Sequence, residues 1–143
     1  MFGMIAMAAV IQAAPVSPAP VAPAINWRVA PVTSGAWSWR PLPGGSEAIF
    51  QDYRGPQLVV RCTMATRTVS LIRTGAIGGA PVVVRTTSAE RTLPYTATLG
   101  ARDPLLDDIA FSRGRISVEV AGAPRLIVPS WPESARAIED CRN

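Results

Sequence analysis

The side chains able to do chemistry in this 143-residue sequence are fourteen arginines, ten carboxylates, two cysteines and a scatter of hydroxyls; lysine and histidine are absent. Without histidine there is no Ser-His-Asp triad, no imidazole base and no imidazole metal ligand. Without lysine there is no Schiff base, no Ser-Lys dyad and no phosphate-loop lysine. Two cysteines cannot complete a four-cysteine zinc or iron–sulfur site. No G-x-S-x-G elbow or G-x-G-x-x-G loop occurs, and the one glycine cluster, Gly75-Ala76-Ile77-Gly78-Gly79, precedes a strand pattern and reads as a hairpin loop. No cofactor is expected.

The carboxylates are the remaining acid–base groups. Asp107 and Asp108 are neighbours on a helical pattern, diverge by about 100° and can share neither a proton nor a metal. Asp103 and Asp107 can face together, but a Ca²⁺ site needs about six to eight oxygens, and a helix N-terminus attracts acids through its dipole. Capping is therefore the expected role, and no metal site is expected. A glycosidase needs two carboxyls about 5–10 Å apart across a cleft. Asp52 with Glu119 could provide them, which makes a carboxylate-only hydrolase the enzymatic alternative, although no motif selects this pair. Near the C-terminus Glu139 and Asp140 oppose a helix dipole, and Arg136 and Arg142 are expected to offset them.

Arg61, Arg73, Arg85 and Arg91 fall on or beside strand patterns whose opposite parity is apolar. If those strands are neighbours, their guanidinium groups stand together on a solvent face able to hold phosphate, sulfate or carboxylate bidentately. Anionic glycans, lipid headgroups or the acidic patch of an envelope protein are the matching partners. Nucleic acid is not expected, for want of exposed aromatics on which bases could stack. The alternative is a solvated face whose charges keep sheet edges soluble. Trp37 and Trp39 offer either an aromatic platform for a sugar or an inward pair of core residues, with Ser38 and Arg40 as the polar parity.

These side chains are positioned by strands. Apolar residues alternate through Trp37 and Trp39; Leu58, Val60 and Cys62; Val69 and Leu71; Val82 and Val84; Leu93, Tyr95, Ala97 and Leu99; Ile116, Val118 and Val120; and Leu126 and Val128. Pro43-Gly44-Gly45, Arg54-Gly55-Pro56, Gly75–Gly79, Gly114 and Gly122 punctuate them. The expected fold is all-β with two short helices: an antiparallel β-sandwich or small barrel, formed by residues 36–143 as a single domain. One helix begins with Asp103 as N-cap and Pro104 at its first position, buries Leu105, Leu106, Ile109 and Ala110, and stops at Gly114. The other begins with Ser130 and Glu133 at capping-box spacing and lines one side with Trp131, Ala135, Ile138 and Cys141.

Residues 1–13 read as a signal peptide. The uncharged apolar run Met1–Ala14 spans roughly 21 Å as a helix, short of a hydrocarbon core of about 30 Å, and its small-residue end suits cleavage after Ala13. An uncleaved anchor or a misassigned start is the alternative. Residues 14–35, with Pro15, Pro18, Pro20, Pro23 and Pro31, read as a semi-rigid Ala/Pro-rich tether in polyproline II conformation. The membrane is then met only transiently, through the signal segment. In an exported domain Cys62 and Cys141 most simply form one disulfide that ties the C-terminal helix back; in a cytosolic chain they would be two buried thiols. Closing that loop removes about 4.5 kcal/mol of unfolded-chain entropy.

The order of elements carries a resemblance. An early tryptophan strand, a strand ending in Arg61-Cys62, the helix Asp103–Phe111, the strand Arg115–Val120 and a terminal helix closing on Glu139-Asp140-Cys141-Arg142 together resemble small exported proteins of proteobacteria related to the invasion-associated locus B and VasI-like families. They resemble more closely uncharacterised periplasmic proteins of alphaproteobacteria that end in a similar E-D-C-R. The resemblance covers residues 36–143 and implies a β-sandwich envelope protein without established enzymatic activity. The expectation is an exported, non-enzymatic binding or accessory protein, periplasmic or secreted, that engages an anionic partner through an arginine-bearing sheet face. An inhibitor or accessory subunit of an envelope enzyme or secretion machine is the alternative.

Overall fold

The period-two alternation becomes two antiparallel sheets in the computed structural model, which describes residues 12–16 and 25–143. Strands β1 (Ala36–Leu42), β2 (Gly45–Asp52), β3 (Gly55–Thr63) and β4 (Thr68–Arg73) follow one another as hairpins. β5 (Val82–Arg85) and β6 (Glu90–Leu93) begin a second sheet, and β7 (Thr98–Gly100) returns to the first, beside β4. After helix α1 (Pro104–Ala110), β8 (Arg115–Val120) and β9 (Leu126–Pro129) complete the second sheet, and helix α2 (Pro132–Asp140) ends the fold. The strand orders are β1-β2-β3-β4-β7 and β6-β5-β8-β9.

Register decides which residues meet inside. In the five-stranded sheet the inward rows run Trp37–Phe50–Leu58–Arg73, Trp39–Ala48–Val60–Leu71 and Pro41–Ser46–Cys62–Val69–Leu99. Val82, Val84, Ile116, Val118, Val120, Leu126 and Val128 face them from the four-stranded sheet, in one continuous core that also takes Leu105, Leu106 and Ile109 of α1 and Ala137 and Ile138 of α2. The Trp37 ring meets Phe50 edge-on at 5.6 Å between centroids. Its indole N–H donates to the Pro129 carbonyl at 2.8 Å, which joins the two sheets.

The β1–β2 hairpin turns on Pro43 and Gly44, and Gly44 takes the positive φ (+78°) that follows proline in a tight turn. Gly45 admits no side chain, because a Cβ there would lie 1.9 Å from the Cys62 carbonyl oxygen. β2 carries no clean alternation, since Ser46 through Phe50 are all buried, on both faces of the sheet. The run Leu93–Leu99, which reads as continuous alternation, is two strands in different sheets. The chain crosses between them at Pro94–Ala97, where Ala97 adopts φ +41° and Tyr95 is exposed rather than inward.

Asp103 caps α1 as its sequence indicates, accepting from the Leu105 amide at 2.9 Å, and Leu105, Leu106 and Ile109 are buried. The helix ends before Gly114, which instead takes positive φ at the entry to β8. The expected capping box of α2 does not form. Pro132 holds the first helical position, so Trp131 is the N-cap without a side-chain hydrogen bond, and Ser134 donates back to the Trp131 carbonyl. The buried stripe is accordingly Ser134, Ala137, Ile138 and Cys141, rotated from the stripe through Trp131 and Ala135.

Cys62 and Cys141 form the disulfide, with 5.4 Å between their Cα atoms, and it ties the end of α2 to the inner face of β3. It marks an oxidising, non-cytoplasmic compartment. Among the described residues no helix is long and apolar enough to cross a membrane. Most of the N-terminal apolar run and residues 17–24 lie outside the described residues.

The last part of the expected tether is packed. Trp27 is only 8% exposed. Arg115 donates to the Ala30 carbonyl, Arg125 to that of Ile25, and Thr33 bonds the backbone of Ile127 on β9. Residues 25–33 thus form a strap over the outer face of the four-stranded sheet. Replacing Trp27 by alanine is expected to speed amide exchange at Ser117 and Ile127 while the five-stranded sheet keeps its protection. A Cys62→Ala/Cys141→Ala variant is expected to lose about 2–5 kcal/mol of stability, read from its urea midpoint.

Candidate functional site

The outer face of the five-stranded sheet carries a straight cross-strand row. Because Pro43 and Gly44 make a two-residue loop, Leu42 faces Gly45 and, two residues further out, Arg40 faces Glu47. The registers of β2, β3, β4 and β7 then continue the row through Arg61, Ser70 and Thr98. A parallel row, Ser38–Ile49–Val59–Ile72, runs beside it. Period-two geometry puts both rows on the side away from the core.

Glu47 is the hub of the polar row. Its side chain is 1% exposed, beneath those of Arg40 and Arg61, which are 62% and 45% exposed. Arg40 Nε donates to one carboxylate oxygen at 2.7 Å and Arg61 Nε to the other at 2.9 Å. Burial pushes the Glu47 pKa up, but the hydrogen bonds and charges of Arg40 and Arg61 outweigh it, and the carboxyl is held below its ordinary value. One carboxylate between two guanidinium groups leaves a net positive charge. The Arg61 terminal nitrogens have no partner among the described residues. Ser70 and Thr98 extend the row as a hydroxyl pair 3.1 Å apart. A flat strip of this kind can accept a phosphate, sulfate or carboxylate on two forks at once.

The four arginines singled out by sequence do not meet. Arg61 lies on this face. Arg85 stands on the outer face of the other sheet, paired with Glu90 at 3.2 Å and Glu119 at 2.7 Å. Arg91 is on β6 at the sheet edge and holds Asp103 with both terminal nitrogens, at 2.5 and 2.9 Å. Arg73 is a correction: it is 8% exposed and points inward, because it shares the parity of Val69 and Leu71. Its guanidinium donates to the carbonyls of Gln57, Thr74 and Pro124 and to Gln57 Oε1.

Trp37 and Trp39 share one face, and it is the inner one. Arg136 of α2 stacks on Trp39 at 3.4 Å from the ring centroid, and the indole donates to Asp140 at 3.0 Å. Ser46 donates to the same carboxylate at 2.7 Å. Both rings are thereby used inside the fold and leave no open aromatic platform. Asp140 is satisfied by Trp39 and Ser46 rather than by arginine, whereas Arg142 pairs with Asp107 at 2.7 Å and with Glu139 at 3.2 Å.

Asp52 and Glu119 belong to different sheets. The hydrogen bond from Arg54 holds the Asp52 pKa down, and those from Arg85 and Arg125 hold that of Glu119 down against its burial. A glycosidase acid requires a raised value, so this pair lacks the acid–base asymmetry of that chemistry.

Glu47, Asp103 and Glu119 all have depressed pKa values. Stability from a depressed carboxyl is complete above its unfolded value, 4.5 for Glu and 3.8 for Asp, and is lost as pH falls through the lower folded one. The denaturation midpoint is therefore expected to hold steady from about pH 7 to 5 and to fall below about pH 4, and Glu47→Gln is expected to shallow that fall. No family model matches this chain, and neither does any curated protein or solved structure.

Proposed function

We propose that the protein is an exported, non-enzymatic binding or accessory protein of the cell envelope, periplasmic or secreted, that engages an anionic partner through the outer face of its five-stranded sheet. The observation that carries this reading is the Arg40–Glu47–Arg61 arrangement: two exposed guanidinium groups held in fixed orientation by one buried carboxylate. Such preorganisation lowers the rotamer entropy lost when an anion binds, a saving of about 0.5–1.5 kcal/mol per side chain. The disulfide fits an oxidising compartment, and the resemblance to small exported proteobacterial proteins points the same way. Of the neighbouring row, Ile72 is left exposed as an apolar flank to the strip, while Ile49 and Val59 are buried.

The test is binding of the oxidised protein to three immobilised probes: a sulfated glycan, vesicles containing phosphatidylglycerol, and envelope extract. The Arg40→Ala/Arg61→Ala double variant is expected to bind whichever probe captures the wild type at least about tenfold more weakly, a change of about 1.4 kcal/mol. Arg113→Ala, an exposed arginine in the loop between α1 and β8 of the other sheet, is the charge control. Capture should also weaken as salt rises. Equal binding by the double variant and the wild type removes this face from the function.

A further inference from the structure

The ladder between β4 and β7 stops early. It runs from Thr68↔Gly100 to Ser70↔Thr98, whereas β4 continues to Arg73 and stays paired with β3 as far as Leu58↔Arg73. Only one more bond is made on the β7 side, from the Leu71 amide to the Ala97 carbonyl at 2.9 Å, before the chain turns away at Ala97. The Thr74 amide bonds Gln57 on the β3 side. Alternation therefore directs the Leu71 carbonyl and both the amide and carbonyl of Arg73 outward. Among the described residues these three groups have no strand partner.

A groove of about 290 Å³ opens along this edge. It is lined by Leu71 and Arg73 from the inner side of the strand and by Ile72 from the outer side, a combination available only at a strand edge. Ile77, Val82 and Tyr95 form its other walls. Ile72, Ile77 and Tyr95 are all large apolar or aromatic side chains left exposed, gathered at one place. The wall carrying Ile77 is anchored: its amide donates to Ala121 at 3.0 Å, and its side chain lies where a Cβ on Gly122 would stand.

Arg73 is the one charged residue in the groove's lining, which holds no Asp or Glu. Arg73 is bound by carbonyls and an amide oxygen, no carboxylate pairs with it among the described residues, and its buried Nε has no acceptor. The nearby Asp52 is already held by Arg54 at 2.7 Å. Beyond Arg73, Gly78 and Gly79 face open space, and their amides have no acceptor among the described residues.

We propose that this groove is a docking site for the extended C-terminal segment of another polypeptide, which adds to β4 as a strand and directs its free carboxylate toward Arg73 and the Gly78–Gly79 amides. The backbone of three or four residues spans the open edge at about 3.3 Å each. A segment running parallel to β4 ends beyond Arg73, at the Gly78–Gly79 amides. Backbone bonds along the edge supply affinity, and Ile72, Ile77 and Tyr95 select apolar side chains. The site shares Ile72 with the flank of the sheet face but does not include Arg40 or Arg61.

The probe is a pool of fluorescein-labelled octapeptides alternating valine and threonine, with the last two residues randomised and a free C-terminus, read by fluorescence anisotropy on the oxidised full chain. The expected result is saturable binding that falls at least tenfold when the same pool is C-terminally amidated, and again when alternate backbone amides are N-methylated. Ile72→Lys and Tyr95→Ala, both at exposed positions, should each weaken it, whereas Arg113→Ala should not. Backbone NMR shifts should concentrate in residues 71–82 and 95–97. Equal binding by the acid and amide pools, no binding by the acid pool, or shifts centred elsewhere each overturn the proposal. A concentration-dependent dimer that masks the edge and excludes the peptide also overturns it, in favour of a second copy as occupant.

Discussion

The bond between Cys62 and Cys141 fixes the far end of the chain to the middle of a central strand, and the interior is arranged around that attachment. α2 carries few large apolar side chains, and its buried stripe is mostly small: Ser134, Ala137, Ile138 and Cys141. Burial of so little surface would hold a nine-residue helix weakly. The covalent link supplies what that stripe does not, and it keeps Asp140 and Arg136 on Trp39 and Ser46. Trp39, Ser46 and Asp140, one each from β1, β2 and α2, are thereby locked together, with Arg136 stacked over the ring. The inner faces of β1 and β2 are then committed, and the chemistry those strands still offer lies on the other face.

On that other face the geometry is inherited from register. The tight loop at Pro43–Gly44 and the glycine required at position 45 leave β1 and β2 a single pairing, and a one-residue slip would drive Trp37 and Trp39 into solvent. The same pairing that seats the tryptophans aligns Arg40, Glu47 and Arg61. A buried carboxylate is costly unless it is fully bonded; here each oxygen has its own guanidinium, so the acid is satisfied and the arginines are oriented. Folding and presentation of charge are the same event on this sheet.

Much of this architecture was readable in the residues. The inward set Leu58, Val60, Cys62, Val69, Leu71, Val82, Val84, Ile116, Val118, Leu126 and Val128 follows from period-two alternation alone, as does the cap at Asp103. β2 hid because both its faces are covered, one by the core and one by arginines, which erases alternation. Arg73 was legible but misassigned: counting by twos from Val69 and Leu71 places it inside. The arginine pair needed one step more, the counting outward from Pro43–Gly44 that sets Arg40 against Glu47. Trp27 carried no periodic signal, since a strap laid across a sheet face has no repeat of its own. Pro132 overrode the Ser130/Glu133 spacing because proline at the first helical turn fixes where the helix begins.

The strap gives the molecule a direction. Ile25 through Thr33 lie across the four-stranded sheet, bound by Arg115, Arg125 and Ile127, whereas Arg40 and Arg61 stand on the opposite exterior of the sandwich. Ile25, where the strap begins, therefore sits at the back of the molecule. The thickness of two sheets thus separates the strap from the charged strip on the other exterior.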